Sequence, residues 1–161
     1  MKKQAGFTLA EMTIVIVVLG ILSAFFMPKF EYLIRDARIA KVERLAGSIK
    51  EAAAITHATQ IAEQLAPAGS IDIDGDPATA TDVITMVNRY PTADSAGVSA
   101  AMLSFAEPEL FGTGPGQFED LGNGSYNLSN TADEANCSVT YVAPATVGEL
   151  PVVTTATSGC N

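Results

Sequence analysis

Histidine and cysteine, which often supply catalytic groups or metal ligands, are scarce in this chain. Its 161 residues include one histidine, His57, and two cysteines, Cys137 and Cys160. Any Ser/His/Asp or Cys/His arrangement would therefore depend on His57. No cysteine or second histidine stands near it at metal-ligand spacing, so we interpret His57 as a surface or packing residue of a helix. The sequence predicts no enzyme, no cofactor and no metal site.

Basic residues are also few, and they are unevenly distributed. Nine lysines and arginines stand against eighteen acidic residues, for a formal net charge of −9. Six of the nine lie from Lys29 to Lys50, and beyond Lys50 only Arg89 remains, against fourteen acidic residues. Binding to phosphates requires a basic surface, so this acidic part of the chain argues against a nucleic-acid partner.

Only one long hydrophobic run is present, and it lies near the N-terminus. It extends from Phe7 to Met27 and holds a single charged residue, Glu11. A helix of that length, at about 1.5 Å per residue, spans a hydrocarbon core of roughly 30 Å. A secretory signal would have a shorter apolar region followed by its cleavage site, whereas here the favoured cleavage point precedes the run. We therefore expect a membrane-spanning helix.

Glu11 is the residue of this run that needs an explanation, because a carboxylate in lipid is costly without a partner. No basic side chain lies between Phe7 and Met27, so a partner must come from outside the segment. A neighbouring copy of the chain could supply one, such as a free amine on Phe7 after cleavage behind Gly6. The alternative is that Glu11 sits at the headgroup level of an ordinary anchor.

The N-terminal residues closely resemble a type IV prepilin. Met1-Lys2-Lys3-Gln4-Ala5-Gly6 is similar to its short basic leader, and Phe7-Thr8-Leu9-Ala10-Glu11 to the start of the mature subunit. The resemblance implies cleavage between Gly6 and Phe7 by a prepilin peptidase and N-methylation of Phe7. It also implies that Glu11 pairs with the Phe7 amine of an adjacent subunit during filament assembly. Gly20 and Pro28 fall where type IV pilins carry helix-weakening residues.

Later residues resemble pilins of the mannose-sensitive haemagglutinin (MSHA) type, with Arg89 in place of the usual glycine. They are Asp36-Ala37-Arg38, His57, Met86 to Ala93, Cys137 to Tyr141, and Ser158-Gly159-Cys160.

The predicted fold class is α+β, with a long N-terminal helix packed on a small antiparallel head, as the resemblance implies. We expect a leader over 1–6, a transmembrane and filament-core helix over 7–28, an amphipathic helix over 29–66 and a head over 67–161. Pro28 should kink the helix without ending it. The apolar stripe drifts, which predicts that the buried face turns along the helix. Its members are Val42, Leu45, Ile49, Ala52, Ile55, Ala58, Ala62 and Leu65.

Alternation, β-branched runs and turn residues give the elements of the head. We predict a short strand and hairpin over 70–77, a strand over 82–88, a turn over 89–94, a helix over 95–106, a loop over 107–124, and strands over 138–142 and 150–155. Asp72, Asp74 and Asp76 have the spacing of the first ligands of a calcium loop. The glycine is misplaced and position 83 is valine, so we favour a solvated acidic turn over a calcium site.

Cys137 and Cys160 flank the last two predicted strands, and the resemblance implies an oxidising periplasm. A disulfide between them would close the base of this hairpin, as is common in small secreted domains. Loop-closure entropy gives such a bond about 3 kcal/mol of stabilisation where the native geometry permits it.

The resemblance implies a structural subunit of a type IV pilus, used for attachment, with motility as a second use that the resemblance allows. Its partners would be identical subunits, the prepilin peptidase, the inner-membrane assembly machinery and a surface or host glycan. The subunit would be an inner-membrane protein with a periplasmic head, and later part of an extracellular pilus of a Gram-negative bacterium.

Two alternatives stay open. A pseudopilin of a type II secretion system shares the leader and the helix, and the C-terminal cysteine pair favours the pilin over it. An uncleaved single-pass protein with a ligand-binding head would make Gly6 and Glu11 dispensable. Counting charges around the helix also favours the opposite membrane orientation, with Lys29 to Arg44 on the cytoplasmic side.

Overall fold

The computed structural model of the chain describes residues 7–73, 83–105 and 110–161. It contains two compact units, which meet in sequence between Asp36 and Ala37. The first element, α1, is a 54-residue helix from Leu9 to Ala62. Two small antiparallel sheets follow it. This architecture confirms the predicted α+β class with a long N-terminal helix.

The end of α1 differs from the prediction, which continued the helix to position 66. The helix ends at Ala62, and Gln64 has a φ of 56°. A left-handed backbone at this position stops the i to i−4 ladder. The Gln60 side chain then donates to the carbonyl oxygen of Ala66 at 2.7 Å and satisfies a group beyond the helix end.

The buried face of α1 within the second unit does not turn, contrary to the prediction. It repeats at three- and four-residue steps along one stripe, made of Val42, Leu45, Ala46, Ile49, Ala52, Ala53, Thr56 and Gln60. Ile55, Ala58, Ala62 and Leu65 are exposed instead. Thr56 belongs to the buried face because its hydroxyl donates to the carbonyl oxygens of Ala52 and Ala53. A prediction from apolar residues alone therefore places the buried stripe of α1 wrongly.

The three-stranded sheet has the order β1 (Gly69–Asp72), β2 (Val83–Val87), β3 (Tyr90–Pro91), and all pairs are antiparallel. The predicted turn over 89–94 is wrong in its placement. Val87 pairs with Tyr90, so Asn88 and Arg89 form a two-residue turn with φ of 50° and 73°. A glycine at position 89 would adopt this φ without strain.

The second sheet has four antiparallel strands in sequence order. They are β4 (Phe118–Asp120), β5 (Ser125–Leu128), β6 (Ser138–Val142) and β7 (Val152–Ala156). The prediction of β6 is confirmed, and β7 begins two residues later than predicted. The loop predicted up to Gly124 is wrong over β4, which pairs with β5 through Phe118 and Leu128.

A short helix stands between the sheets in the sequence. One π-helical turn at Ser95–Ser99 continues into α2 (Ala100–Phe105), which agrees with the predicted helix over the described residues. The Asp94 carboxylate accepts hydrogen bonds from the Gly97 amide at 2.7 Å and the Thr92 hydroxyl at 2.8 Å. This cap fixes the start of the helical segment against the end of β3.

One hydrophobic core joins α1, α2 and both sheets. Its largest fully buried side chains include Tyr126 and Tyr141. The Tyr126 hydroxyl contacts the Ser99 hydroxyl at 2.7 Å, and the Tyr141 hydroxyl donates to the Pro91 carbonyl oxygen at 2.8 Å. Burial raises the pKa of both phenols well above the usual value. Each tyrosine therefore stays neutral and links the four-stranded sheet to a neighbouring element.

Candidate membrane and assembly segment

The helix α1 begins with a reciprocal cap between Thr8 and Glu11. The Thr8 amide and hydroxyl both donate to Glu11 Oε2 at 2.9 Å, and the Glu11 amide donates to Thr8 Oγ1 at 3.2 Å. This is a capping box, which satisfies amides that the first helical turn leaves without partners. No role was predicted for Thr8, although Thr-x-x-Glu ahead of an apolar run is the signature of this box.

Glu11 thus has a local role that the two interpretations above did not include. Its carboxylate is exposed, and only Oε2 receives hydrogen bonds from the described residues. The oxygen Oε1 is left for another donor. A cap within the same chain and a contact with a second chain are therefore compatible.

The stretch Leu9–Phe26 of α1 is long and apolar enough to cross a membrane. Every side chain from Phe7 to Phe26 is exposed. The hydroxyls of Thr13 and Ser23 donate to the carbonyl oxygens of Ala10 and Leu19 within the helix. Such internal bonds remove much of the cost of placing a hydroxyl in lipid or in an apolar assembly.

The other predicted site residues of this segment are only partly described. Gly6, on the leader side of the predicted cleavage point, lies outside the described residues, and Phe7 is the first residue within them. The helix is continuous through Gly20 and Pro28, and a Cβ at Gly20 would meet no atom within 4 Å. No contact with the described residues therefore requires a glycine at this position. Their role as helix-weakening residues stays a prediction.

The disulfide expected from the sequence is present. Cys137 and Cys160 are joined, with their Cα atoms 4.9 Å apart and a sequence separation of 23 residues. Cys137 immediately precedes β6, and Cys160 follows β7 by four residues. The bond therefore closes the hairpin of these two strands at its open end.

Arg38 ties this closed hairpin to α1. Its guanidinium donates to the carbonyl oxygens of Asn130 at 3.2 Å, Cys160 at 3.5 Å and Asn161. Lys41, one turn further along α1, donates to the carbonyl oxygen of Gly116 at 3.1 Å. The sequence gives no sign of these contacts for either residue, because their partners lie 75 or more positions away.

Of the three aspartates considered as calcium ligands, only Asp72 is among the described residues, and it lies in β1. Asp74 and Asp76 lie outside the described residues. Within 7–73, 83–105 and 110–161, no group of three or more His, Cys, Asp or Glu side chains is arranged to hold a metal ion. The calcium interpretation gains no support from this part of the chain.

Residues 1–27 match the family described as the prokaryotic N-terminal methylation motif. This match covers the N-terminal residues, including the start of α1. The chain is also similar to the type IV major fimbrial protein FimA of Dichelobacter nodosus, including that of strain VCS1703A. Identity is 31% over 106 residues, which is 66% of this chain and 60% of each relative. No solved structure is significantly similar to the chain.

Proposed function

We propose that this chain is a structural subunit of a type IV pilus. The observation that carries the proposal is the apolar stretch Leu9–Phe26, which has no buried part, carries Glu11 at its capped start and lies within the methylation motif. Exposed apolar surface of this extent is stable only when lipid or other apolar side chains cover it. Lipid would cover it before assembly, and identical helices would cover it in a filament. The similarity to major fimbrial proteins supports this assignment.

Processing would create the partner of Glu11. Cleavage between Gly6 and Phe7 by a prepilin peptidase, followed by N-methylation of Phe7, leaves a cationic amine at the start of the mature chain. That amine on one subunit would reach Glu11 Oε1 of the next, while Oε2 keeps the cap with Thr8. A buried carboxylate without such a partner would cost several kcal/mol, so the pair would also set the register of assembly.

The head would coat the filament and make its external contacts. The bond between Cys137 and Cys160 suits the periplasm and the cell exterior, where disulfides persist. We further propose that the subunit is of the MSHA type and that the pilus attaches to a surface or a host glycan, with motility as a possible further use. Identical subunits, the prepilin peptidase and the inner-membrane assembly machinery would be its partners, and its role would be structural rather than enzymatic.

The intact mass of the chain in fibres sheared from cells tests this proposal. A mass that starts at Phe7, with one added methyl group and two hydrogens missing, is the expected result. The same processed mass found only in the membrane fraction would indicate a pseudopilin of a secretion system or a minor subunit instead. A full-length chain starting at Met1, in cells that contain the peptidase, would contradict both readings and favour a plain membrane anchor.

A further inference from the structure

The outer side of β7 is an unprotected sheet edge. β7 is the last strand of the order β4-β5-β6-β7, and its residues pair only with β6. No described residue forms a hydrogen bond to the backbone of Val152–Ala156 from the other side. Proteins usually protect such edges with charge, proline or a covering segment, because open edges recruit further strands.

The edge strands β3 and β4 carry that protection, whereas β7 does not. β3 has two residues and includes Pro91. β4 contains Glu119 and Asp120, and Phe111 forms a parallel bridge beside it. β7 reads Val-Val-Thr-Thr-Ala, with no charge, glycine or proline. The β7 edge therefore lacks the protection of β3 and β4 and is open to pairing with a further strand.

The pairing pattern shows which backbone groups point outward. The Tyr141 amide donates to the Gly124 carbonyl oxygen at 2.8 Å, so odd-numbered residues of β6 direct their backbone groups away from β7. Even-numbered residues of β6 therefore bond β7, and they pair with Val152, Thr154 and Ala156. In an antiparallel ladder the remaining residues, Val153 and Thr155, direct their N–H and C=O groups to the open side.

The outward N–H and C=O groups of one β7 strand can pair with those of a second copy of β7. If two copies of β7 run antiparallel about a two-fold axis at Thr154, Val153 of one copy lies opposite Thr155 of the other. Each such pair exchanges two backbone hydrogen bonds, so all four outward groups of both residues are satisfied. Facing side chains would then be Thr154 with Thr154 and Val152 with Ala156, which are small and uncharged.

The charge distribution favours a second copy at this surface. The chain beyond Lys50 has fourteen acidic residues and one basic residue, so most of its surfaces repel those of another copy. Residues 137–161 contain a single charged side chain, Glu149. Exposed apolar side chains border β7 as well, with Val142 52%, Val152 55% and Leu150 75% exposed. Two heads meet here with the least repulsion and with apolar surface to bury.

We infer that β7 is a self-association site, through which two copies of this chain pair their heads as an antiparallel β7–β7 ladder centred on Thr154. The inference rests on the proposed function, because it takes the chain to be a subunit of a filament. A helical filament in which all subunits point the same way has no two-fold axis between neighbours, so this contact joins copies in different filaments. Its consequence is lateral association of filaments.

Cross-linking of single-cysteine additions to the full chain tests the ladder. Thr154→Cys places the two new thiols directly opposite each other, with Cβ atoms about 4.5–5.5 Å apart, so mild oxidation of sheared fibres should give a dimer linked at 154. Thr155→Cys, one position away and also exposed, lies opposite Val153 of the partner and should give little 155–155 dimer. Peptide mass mapping identifies the linked positions. Equal cross-linking of the two variants, or none with either, would overturn the inference.

Placing opposite charges at position 154 in two variants distinguishes loss of the β7 contact from misfolding of the head. Fibres of Thr154→Lys alone, or of Thr154→Glu alone, should lose lateral association, measured as the fraction that sediments at low speed. Mixing the two kinds of fibre should restore it, because unlike charges then face each other. No loss with either variant, or no restoration on mixing, would contradict the ladder. Fibres of the unsubstituted chain are scored separately: their absence at high speed contradicts the proposed function, whereas a normal yield without lateral association contradicts only the β7 pairing.

Discussion

The imidazole ring of His57 lies flat against the phenol ring of Tyr90, with centroids 4.3 Å apart and 4° between the planes. His57 Nδ1 is 2.8 Å from the Arg89 carbonyl oxygen. A carbonyl oxygen only accepts, so Nδ1 carries the proton and donates. The histidine therefore fastens α1 to the β2–β3 turn, in agreement with its interpretation as a packing residue.

His57→Ala should lower the free energy of unfolding by about 1–3 kcal/mol, because it removes the stack and the hydrogen bond together. His57→Phe keeps an aromatic ring against Tyr90 but loses the bond, so its loss should be smaller. Denaturant unfolding of the detergent-solubilised chain, followed by near-ultraviolet circular dichroism of the tyrosines, measures both. A His57→Ala midpoint equal to that of the wild type would contradict this account.

Two glycines should respond in opposite directions to the same change. A Cβ at Gly97 would lie 2.2 Å from the Thr92 carbonyl oxygen, whereas a Cβ at Gly47 would meet nothing within 4 Å. Gly97→Ala should therefore destabilise the head by about 1–3 kcal/mol through forced displacement of the backbone. Gly47→Ala, within α1, should stabilise it by about 0.5–1 kcal/mol. Thermal unfolding of the two variants provides the comparison, and a shift of the same sign in both would refute it.

Loss of the disulfide should cost about 3 kcal/mol of stability. The double variant Cys137→Ser/Cys160→Ser should unfold at lower denaturant than the wild type, and reductant should bring the wild type to the same midpoint. The double variant itself should not respond to reductant, which makes it the control. A reductant effect of similar size on the double variant would show that another process is being measured.

Glu11→Gln separates the two roles of Glu11. Glutamine can still cap the helix from this position, since an amide oxygen also accepts from Thr8, but it has no charge for the Phe7 amine. We expect Glu11→Gln and Glu11→Ala to leave membrane-resident chain with few or no sheared fibres. Glu31→Ala, on an exposed acid of the same helix, should give normal yield. Normal fibres from Glu11→Gln would assign Glu11 to capping alone.

Blocking the cleavage step provides a test that is independent of assembly. Gly6→Ser should leave the chain at full length, because the resemblance implies that the peptidase requires glycine before Phe7. Gly20→Ser is the control, since a side chain there meets no other atom of the described chain. The apparent mass of the membrane-bound chain distinguishes the two forms. Mature-size protein from Gly6→Ser would argue against processing at this bond.

Local chemistry explains which parts of the structure could be predicted. The apolar run, the long helix and β6 could be predicted because the pattern of apolar residues shows them within a few helical turns or a few strand residues. β4 could not be predicted, because Phe118–Asp120 lies among glycines and is a strand only through its pairing with β5. The Asn88–Arg89 turn was misplaced because arginine seldom adopts a positive φ. Pairing in space overrides local preference at both places.

In the candidate site, too, some features could be predicted from the local sequence and others could not. Glu11 stands out in the sequence because a charge in an apolar run needs a partner, whereas its cap with Thr8 is a matter of spacing alone. Arg38 could not be found in this way, since its acceptors are backbone carbonyl oxygens, which every residue has. Nothing in the local pattern distinguishes Asn130 or Cys160 as a partner for an arginine.

The three carbonyl contacts of Arg38 also have a mechanical consequence. A tensile load carried along α1 reaches Arg38 before it reaches the buried face that starts at Val42. Part of that load passes through the guanidinium to the backbone at Cys160, and from there through a covalent sulfur bridge to Cys137 at the start of β6. The force then acts on the four-stranded sheet at the end of β6 and β7 that the disulfide closes. The disulfide keeps these two strands from separating one hydrogen bond at a time from that end.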